Sequence, residues 1–176
     1  MKNYICINGN KTELTPEQLK QLGIELPKAS PFERVVNTAN TFYNYYFIGT
    51  TGIVDETYDG GYCEGNGTDD LRYRNANYCT DKSLMEQRAL HETLNRLLWR
   101  YSMEHDGDKI QWSSNIGENK QKAFIYYNHH ARQFEVYTRW DNQFLGCVWF
   151  NTNEIAENAI EEIVKPFLAS HPDFKF

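Results

Sequence analysis

An aromatic strand end, a capping residue and a helix follow one another twice in this chain, and this repeated order constrains the fold more than any other feature. The first copy is Asn77-Tyr78-Cys79-Thr80 running into Leu84, Met85, Glu86, Ala89 and Leu90. The second is Val148-Trp149-Phe150-Asn151 running into Ile155, Ala156, Glu157, Ile160 and Ile163. Setting Tyr78 against Trp149 places Thr80 on Asn151, Leu84 on Ile155, Glu86 on Glu157 and Ala89 on Ile160, so caps and apolar positions coincide. A side-chain oxygen at the cap satisfies a helix N–H that has no partner within the helix. Apolar residues three and four apart then form one stripe that must be buried. Two such units need a sheet to bury their stripes against, which predicts class α+β: an antiparallel sheet with two amphipathic helices on one face.

The other elements are read from turn chemistry and periodicity. Residues 4–14 alternate around Asn8-Gly9, the signature of a hairpin. Thr15-Pro16-Glu17-Gln18 then joins an N-cap, a proline at the first helical position and a glutamine at the third, which predicts a short helix stopping near Gly23. Strands are expected at 41–48 and 53–58, followed by a loop with Gly60, Gly61, Gly65 and Gly67. Alternation predicts a strand over 71–78, with Arg72 and Arg74 opposite Tyr73. The longest helix is expected from Asp81 to Glu104, its core face made by Leu90, Leu94, Leu97, Leu98 and Tyr101 and its outer face by Arg88, Glu92, Arg96 and Arg100. Strands at 109–113, 122–128, 133–140 and 144–150 precede a second helix over 153–168, whose Pro166 is expected to tighten or kink its last turn. The organisation expected is an N-terminal hairpin and short helix (1–30), an acidic, aromatic strand-loop segment (31–70) and an α+β core (71–176), packed as one unit.

The chain is long enough to bury a core without a metal or disulfide staple. Cys6, Cys63, Cys79 and Cys147 lack CxxC spacing and read as free thiols. No signal peptide is apparent and no apolar run reaches the length of a membrane helix, so a cytoplasmic location is expected. A net charge of −6 opposes direct nucleic-acid binding. The charge is localised: between Val35 and Leu71 there is no Lys or Arg, while Asp55, Glu56, Asp59, Glu64, Asp69 and Asp70 are all acidic.

No residue set spells out a reaction. His129-His130 point to opposite faces if they lie on a strand, which is poor geometry for one metal ion. His91 lacks an HExxH pattern, and the Asp55-Gly60 loop lacks the ligand spacing of a calcium loop. There is no GxSxG and no glycine-rich phosphate loop ahead of a helix. The expectation is a protein that is not an enzyme and carries no cofactor.

Tyr4-Ile5-Cys6-Ile7-Asn8-Gly9 with the residues through Gln18, Pro31-Phe32-Glu33-Arg34-Val35, the stretch from Asn77 to Asp81 and on to Ser102, Tyr126-Tyr127, and Gly146 through Thr152 together cover most of the chain. In pattern they resemble small accessory proteins of bacteriophages and prophages of Gram-positive bacteria. The resemblance implies a phage gene acting in the host cytoplasm, a context in which inhibitors of bacterial immunity of the anti-CRISPR type are common. It transfers no functional residue. In that context, Asp55, Glu56, Asp59, Glu64, Asp69 and Asp70 with Tyr58 and Tyr62 become candidate partner-binding residues, offering negative charge and aromatic anchors to the basic groove of a host nuclease. An alternative is a sponge for a nucleotide immune signal, held by Arg72, Arg74, Arg132, Arg139, Tyr127, Tyr137 and Trp140. A phage structural or assembly component is a third.

Overall fold

The computed structural model describes residues 4–7, 10–15, 18, 21–22, 30–35, 44–59, 67–113, 115 and 120–176. It is an α+β fold in which a three-stranded antiparallel sheet is backed by helices, with an N-terminal hairpin and short helix added. β1 (Tyr4–Ile7) and β2 (Asn10–Glu13) pair antiparallel, Ile7 opposite Asn10, so only two residues remain for the turn. That turn itself, Asn8-Gly9, lies outside the described residues. The expected capping box is reciprocal: the Thr15 N–H donates to Gln18 Oε1 at 2.9 Å, and the Gln18 N–H donates to Thr15 Oγ1 at 3.3 Å.

β3 (Asn44–Ile48) and β4 (Val54–Tyr58) form a second antiparallel pair. The strand expected over 71–78 is instead a helix, α1 (Thr68–Arg74), followed by a short extended stretch. Its charges explain the difference. Asp69 and Asp70 sit in the first turn and Arg72 and Arg74 in the last, each complementing the helix dipole. Asp69–Arg72 and Asp70–Arg74 also meet at 3.7 and 2.5 Å as (i, i+3) and (i, i+4) pairs, contacts that helical spacing favours. Ala76, at φ 54°, then turns the chain. Cys79 exchanges two backbone hydrogen bonds with Tyr46, and the Asn77 amide bonds both N–H and C=O of Ile48, so residues 77–79 flank β3 as a fragment of strand.

α2 (Lys82–Glu104) follows, and its cap is Asp81, which accepts from the Leu84 N–H. The expected cap, Thr80, bonds the Pro31 carbonyl instead. β5 (Lys122–Asn128) pairs with β6 (Gln133–Arg139) on one side and β7 (Trp149–Phe150) on the other, giving the order β6-β5-β7. Two expected strands are corrected. The strand expected over 109–113 does not form: residues 107–109 make a 3-10 turn, because Asp106 is left-handed and Gly107 passes so close to Ser102 that a Cβ would lie 2.5 Å from its carbonyl, and 110–113 are irregular. The strand expected over 144–150 is reduced to Trp149–Phe150 because Gly146, at φ 78°, breaks the extended run.

The second helix starts at α3 (Asn153–Ala159), capped by Thr152 rather than Asn151, passes through a π turn (Ile160–Val164) and continues as α4 (Lys165–Ser170). The widened turn immediately precedes Pro166, which has no N–H to donate to the turn before it. The core lies between these helices and the sheet. Tyr101, Ala123, Phe150, Ala156 and Ala159 make one buried cluster, and Leu94, Val164 and Phe167 another, with Leu98, Ile125 and Ile163 packed against both. α2 touches β3 and β4 as well as β7, α3 and the π turn, which makes it the member shared by the β3–β4 pair and the three-stranded sheet.

Candidate functional site

The acidic segment divides into an internal half and an outward half. Asp59 is fully buried, and Arg34 grips both of its carboxylate oxygens, Nε at 2.6 Å and Nη2 at 3.3 Å. The same guanidinium reaches Asp70 through Nη1 at 3.0 Å, and Arg74 takes the other Asp70 oxygen at 2.5 Å. Asp69 accepts from the Tyr45 hydroxyl at 2.5 Å, while Arg72 donates to that hydroxyl at 2.8 Å and holds its guanidinium carbon 3.4 Å from the centre of the Phe47 ring. Asp59, Asp69 and Asp70 are therefore compensated, by arginines that flank the cation-free stretch in sequence and fold back onto it. The hydrogen bond from Arg34 to Asp59 raises the arginine's pKa. Burial, then the Asp69 contact, pushes the Tyr45 hydroxyl up to about 12. This network fastens α1 to β3 through Tyr45 and Phe47, and Arg34 to α1 and to the end of β4.

Asp55 and Glu56 remain exposed on β4, and Tyr58 beside them is 59% exposed. Glu56 accepts from the Asn44 side chain across the strand pair. Glu64 and Tyr62 lie outside the described residues.

The residues expected to hold a nucleotide are not brought together. Arg72 and Arg74 belong to the network just described. Tyr127 faces the helices, stacked on Phe176 at 3.9 Å and edge-on to Phe134. Arg132 sits in the β5–β6 turn at φ 54°. Tyr137, Arg139 and Trp140 do fall at one edge, where the Arg139 guanidinium lies 4.5 Å from the Tyr137 ring.

That edge belongs to a larger surface. Phe134 and Val136 pack against the helices, so strand alternation turns Gln133, Glu135, Tyr137 and Arg139 to the other face. Register then places Phe124 opposite Tyr137, Tyr126 opposite Glu135 and Trp149 opposite Phe124. Phe124 is the hub, 5.8 Å from Tyr137, 5.6 Å from Phe144 and 5.0 Å from Trp149, and Trp112 meets Trp149 edge-on at 5.0 Å. Lys122 is buried under this surface, its Nζ 4.7 Å from the Trp112 ring and bonded to the Lys120 carbonyl; burial pushes its pKa down. Hydrogen bonds from Tyr126, Asn128 and Gln133 hold the Glu135 carboxyl below the usual range. Tyr137, Trp140 and Phe144 are 42, 47 and 44% exposed, and Leu145 is fully exposed. Two donors on this face, Arg139 Nε and Trp149 Nε1, are shut off from solvent with no hydrogen-bond partner among the described residues.

Phe124, Tyr126, Phe144 and Trp149 are not among the candidate site residues read from sequence. Phe124 and Tyr126 were recoverable from the even spacing of Lys122, Phe124, Tyr126 and Asn128 once β5 was paired with β6. Phe144 was not, because it reaches the cluster from the irregular stretch before Gly146.

Among the described residues, no group of three or more His, Cys, Asp or Glu is placed to hold a metal ion, and no helix is long and apolar enough to cross a membrane. Comparison with protein-family models, with curated proteins and with solved structures gave no match.

Proposed function

We propose that this protein is a non-enzymatic inhibitor that binds a bacterial antiviral defence protein, such as a CRISPR nuclease, through the open face of the β6-β5-β7 sheet. One observation carries the reading. Among the described residues, helices cover this sheet on one side only, and its other side holds a packed aromatic platform whose outer members, Tyr137 and Phe144, stand in solvent, with the exposed Trp140 and Leu145 close to them in the chain. Protein interfaces concentrate Tyr, Trp, Phe and Arg, and their strongest contacts are aromatic anchors surrounded by polar residues. Here the aromatic ridge is bordered by Arg139 on one strand and by the Glu135 hydrogen-bond cluster on the same face.

Among the described residues, the acidic surface expected to face a nucleic-acid groove comes down to Asp55, Glu56 and Tyr58 on β4, because Asp59, Asp69 and Asp70 are held by Arg34, Arg72 and Arg74. In this reading β4 is a secondary contact that steers association.

The test uses phage plating on strains that each carry one defence system. Wild-type protein is expected to restore plating against one system and to co-purify with that system's effector. The pair Tyr137→Ala and Trp140→Ala, shown to be folded by circular dichroism, is expected to lose both by at least about tenfold, as loss of two aromatic anchors predicts. Charge reversal at Asp55 and Glu56 is expected to slow association and to leave the complex intact. Failure to relieve any system, or full activity in the Tyr137/Trp140 variant, overturns the proposal.

A further inference from the structure

The groove where the β3–β4 turn meets α2 gathers groups that the protein-binding reading does not use. Thr50 and Thr51 of the turn stand on one side and Thr93, Arg96, Trp99 and Arg100 of α2 on the other, around a volume of about 530 Å³. Gly52, at φ 81°, closes the approach: a Cβ there would sit 3.2 Å from the Arg96 guanidinium, so turn backbone and arginine are nearly in contact.

The charges in this groove are poorly balanced. Arg96 and Arg100 are one helical turn apart on the same stripe, a like-charge pairing that destabilises a helix by itself. The nearest acid before them, Glu92, is engaged by Arg88 at 2.8 Å. Arg96 reaches the Thr93 hydroxyl at 3.2 Å, and Arg100 has Glu104 only at 4.0 Å with both side chains largely in solvent. A chain of net charge −6 therefore concentrates two cations and three hydroxyls in one groove. Trp99, 59% exposed, stands at its side.

Guanidinium groups bind phosphate oxygens in a forked geometry, and hydroxyls add donors to the same oxygens. An exposed indole offers a stacking face to a nucleobase. We propose that this groove binds a nucleoside phosphate, the phosphate on Arg96 and Arg100 between the threonine hydroxyls and the base against Trp99. None of these residues belongs to the aromatic platform, so the two proposals stand or fall separately.

Isothermal titration of the full chain with ATP, AMP, ribose 5-phosphate, pyrophosphate and adenosine tests it. ATP and AMP are expected to bind, ribose 5-phosphate and pyrophosphate about tenfold more weakly, and adenosine least. The double variant Arg96→Ala/Arg100→Ala is expected to weaken ATP at least about tenfold, and Trp99→Leu to remove the advantage of AMP over ribose 5-phosphate. All three positions are exposed, and circular dichroism checks that the variants fold. No binding of ATP at millimolar concentration, or ATP binding unchanged in the double arginine variant, overturns the site. Pyrophosphate binding as tightly as ATP, or adenosine as tightly as AMP, overturns its assignment to a nucleoside phosphate.

Discussion

The unit from Asn77 to Glu104 and the unit from Trp149 to Ser170 begin alike and are fastened differently. Each starts with an extended two-residue segment headed by an aromatic and laid against a strand, Tyr78-Cys79 on β3 and Trp149-Phe150 on β5. Each is capped three residues after its first aromatic, by Asp81 and Thr152, and each cap accepts from the N–H three residues on, Leu84 and Ile155. Beyond that point they diverge. The first unit is tied down by polar groups: the Tyr78 hydroxyl bonds both N–H and C=O of Val35, its ring stacks on Tyr45 at 4.1 Å, and Tyr45 leads into the Asp69–Arg72 contacts. The second is tied down by apolar burial of Phe150, Ala156, Ala159 and Val164, all at 1% exposure or less. A cap and an apolar stripe decide where a helix starts. What the preceding strand leans on decides how the helix is held, and the two kinds of fastening should respond to different perturbations.

The largest difference is expected at the aligned positions Phe150 and Cys79, both closed to solvent. Phe150→Ala removes a ring from the centre of the core and should cost about 3–5 kcal/mol. Cys79→Ala removes one sulfur, and its backbone bonds to Tyr46 survive, so it should cost about 1 kcal/mol. Urea unfolding of both variants measures the gap. Equal losses would mean that the first unit is core-anchored in the same sense as the second.

The caps give a smaller and symmetrical effect. Asp81→Ala and Thr152→Ala should each destabilise by about 1 kcal/mol, and Asp81→Asn should recover most of the first loss. Thr80→Ala and Asn151→Ala separate the observed caps from their neighbours, because neither Thr80 nor Asn151 caps its helix. Thermal unfolding of the four alanine variants should rank Asp81 and Thr152 above Asn151; the reverse order would move the caps back by one residue.

Much of this comparison could be read from sequence, since the aligned pattern marked both helix starts to within one residue and the stripe of Leu90, Leu94, Leu97, Leu98 and Tyr101 is the face that packs. What escaped depended on partners distant in the chain. Leu71 to Tyr78 alternates like a strand, yet residues 68–74 are helical, with Asp70 and Arg72 held by Arg34 and Tyr45 from 36 and 27 residues away. The acidic run looked uncompensated because Arg34 lies just outside it, 25 residues from Asp59. The aromatic platform was half legible: Tyr137, Arg139 and Trp140 were singled out, while Phe124 and Tyr126 required the register of β5 on β6. Phe144 and Trp112 arrive from irregular backbone, for which periodicity has nothing to say.

The last and smallest effect at neutral pH separates the two fastenings by titration. The Tyr45 hydroxyl is raised from the ordinary tyrosine value to about 12, by burial first and by its bond to Asp69 second. A raised pKa means that the folded state holds the proton more tightly than the unfolded one. The resulting stability is fully present below pH 10 and is lost as pH rises from there through about 12. Tyr78, raised for the same leading reason, adds to the same limb. Tyr45→Phe should cost within about 1 kcal/mol at pH 7, since the hydroxyl's hydrogen bonds are lost but Asp69 and Arg72 retain each other. Between pH 10 and 12 its urea midpoint should fall less steeply than that of the wild type. Phe150→Ala should lower stability at every pH without changing that slope, because no titrating group touches the lost ring's role in the core. If the Tyr45→Phe and wild-type curves run parallel over this range, the polar fastening of the first unit contributes no proton-linked stability, and the contrast between the two units reduces to packing alone.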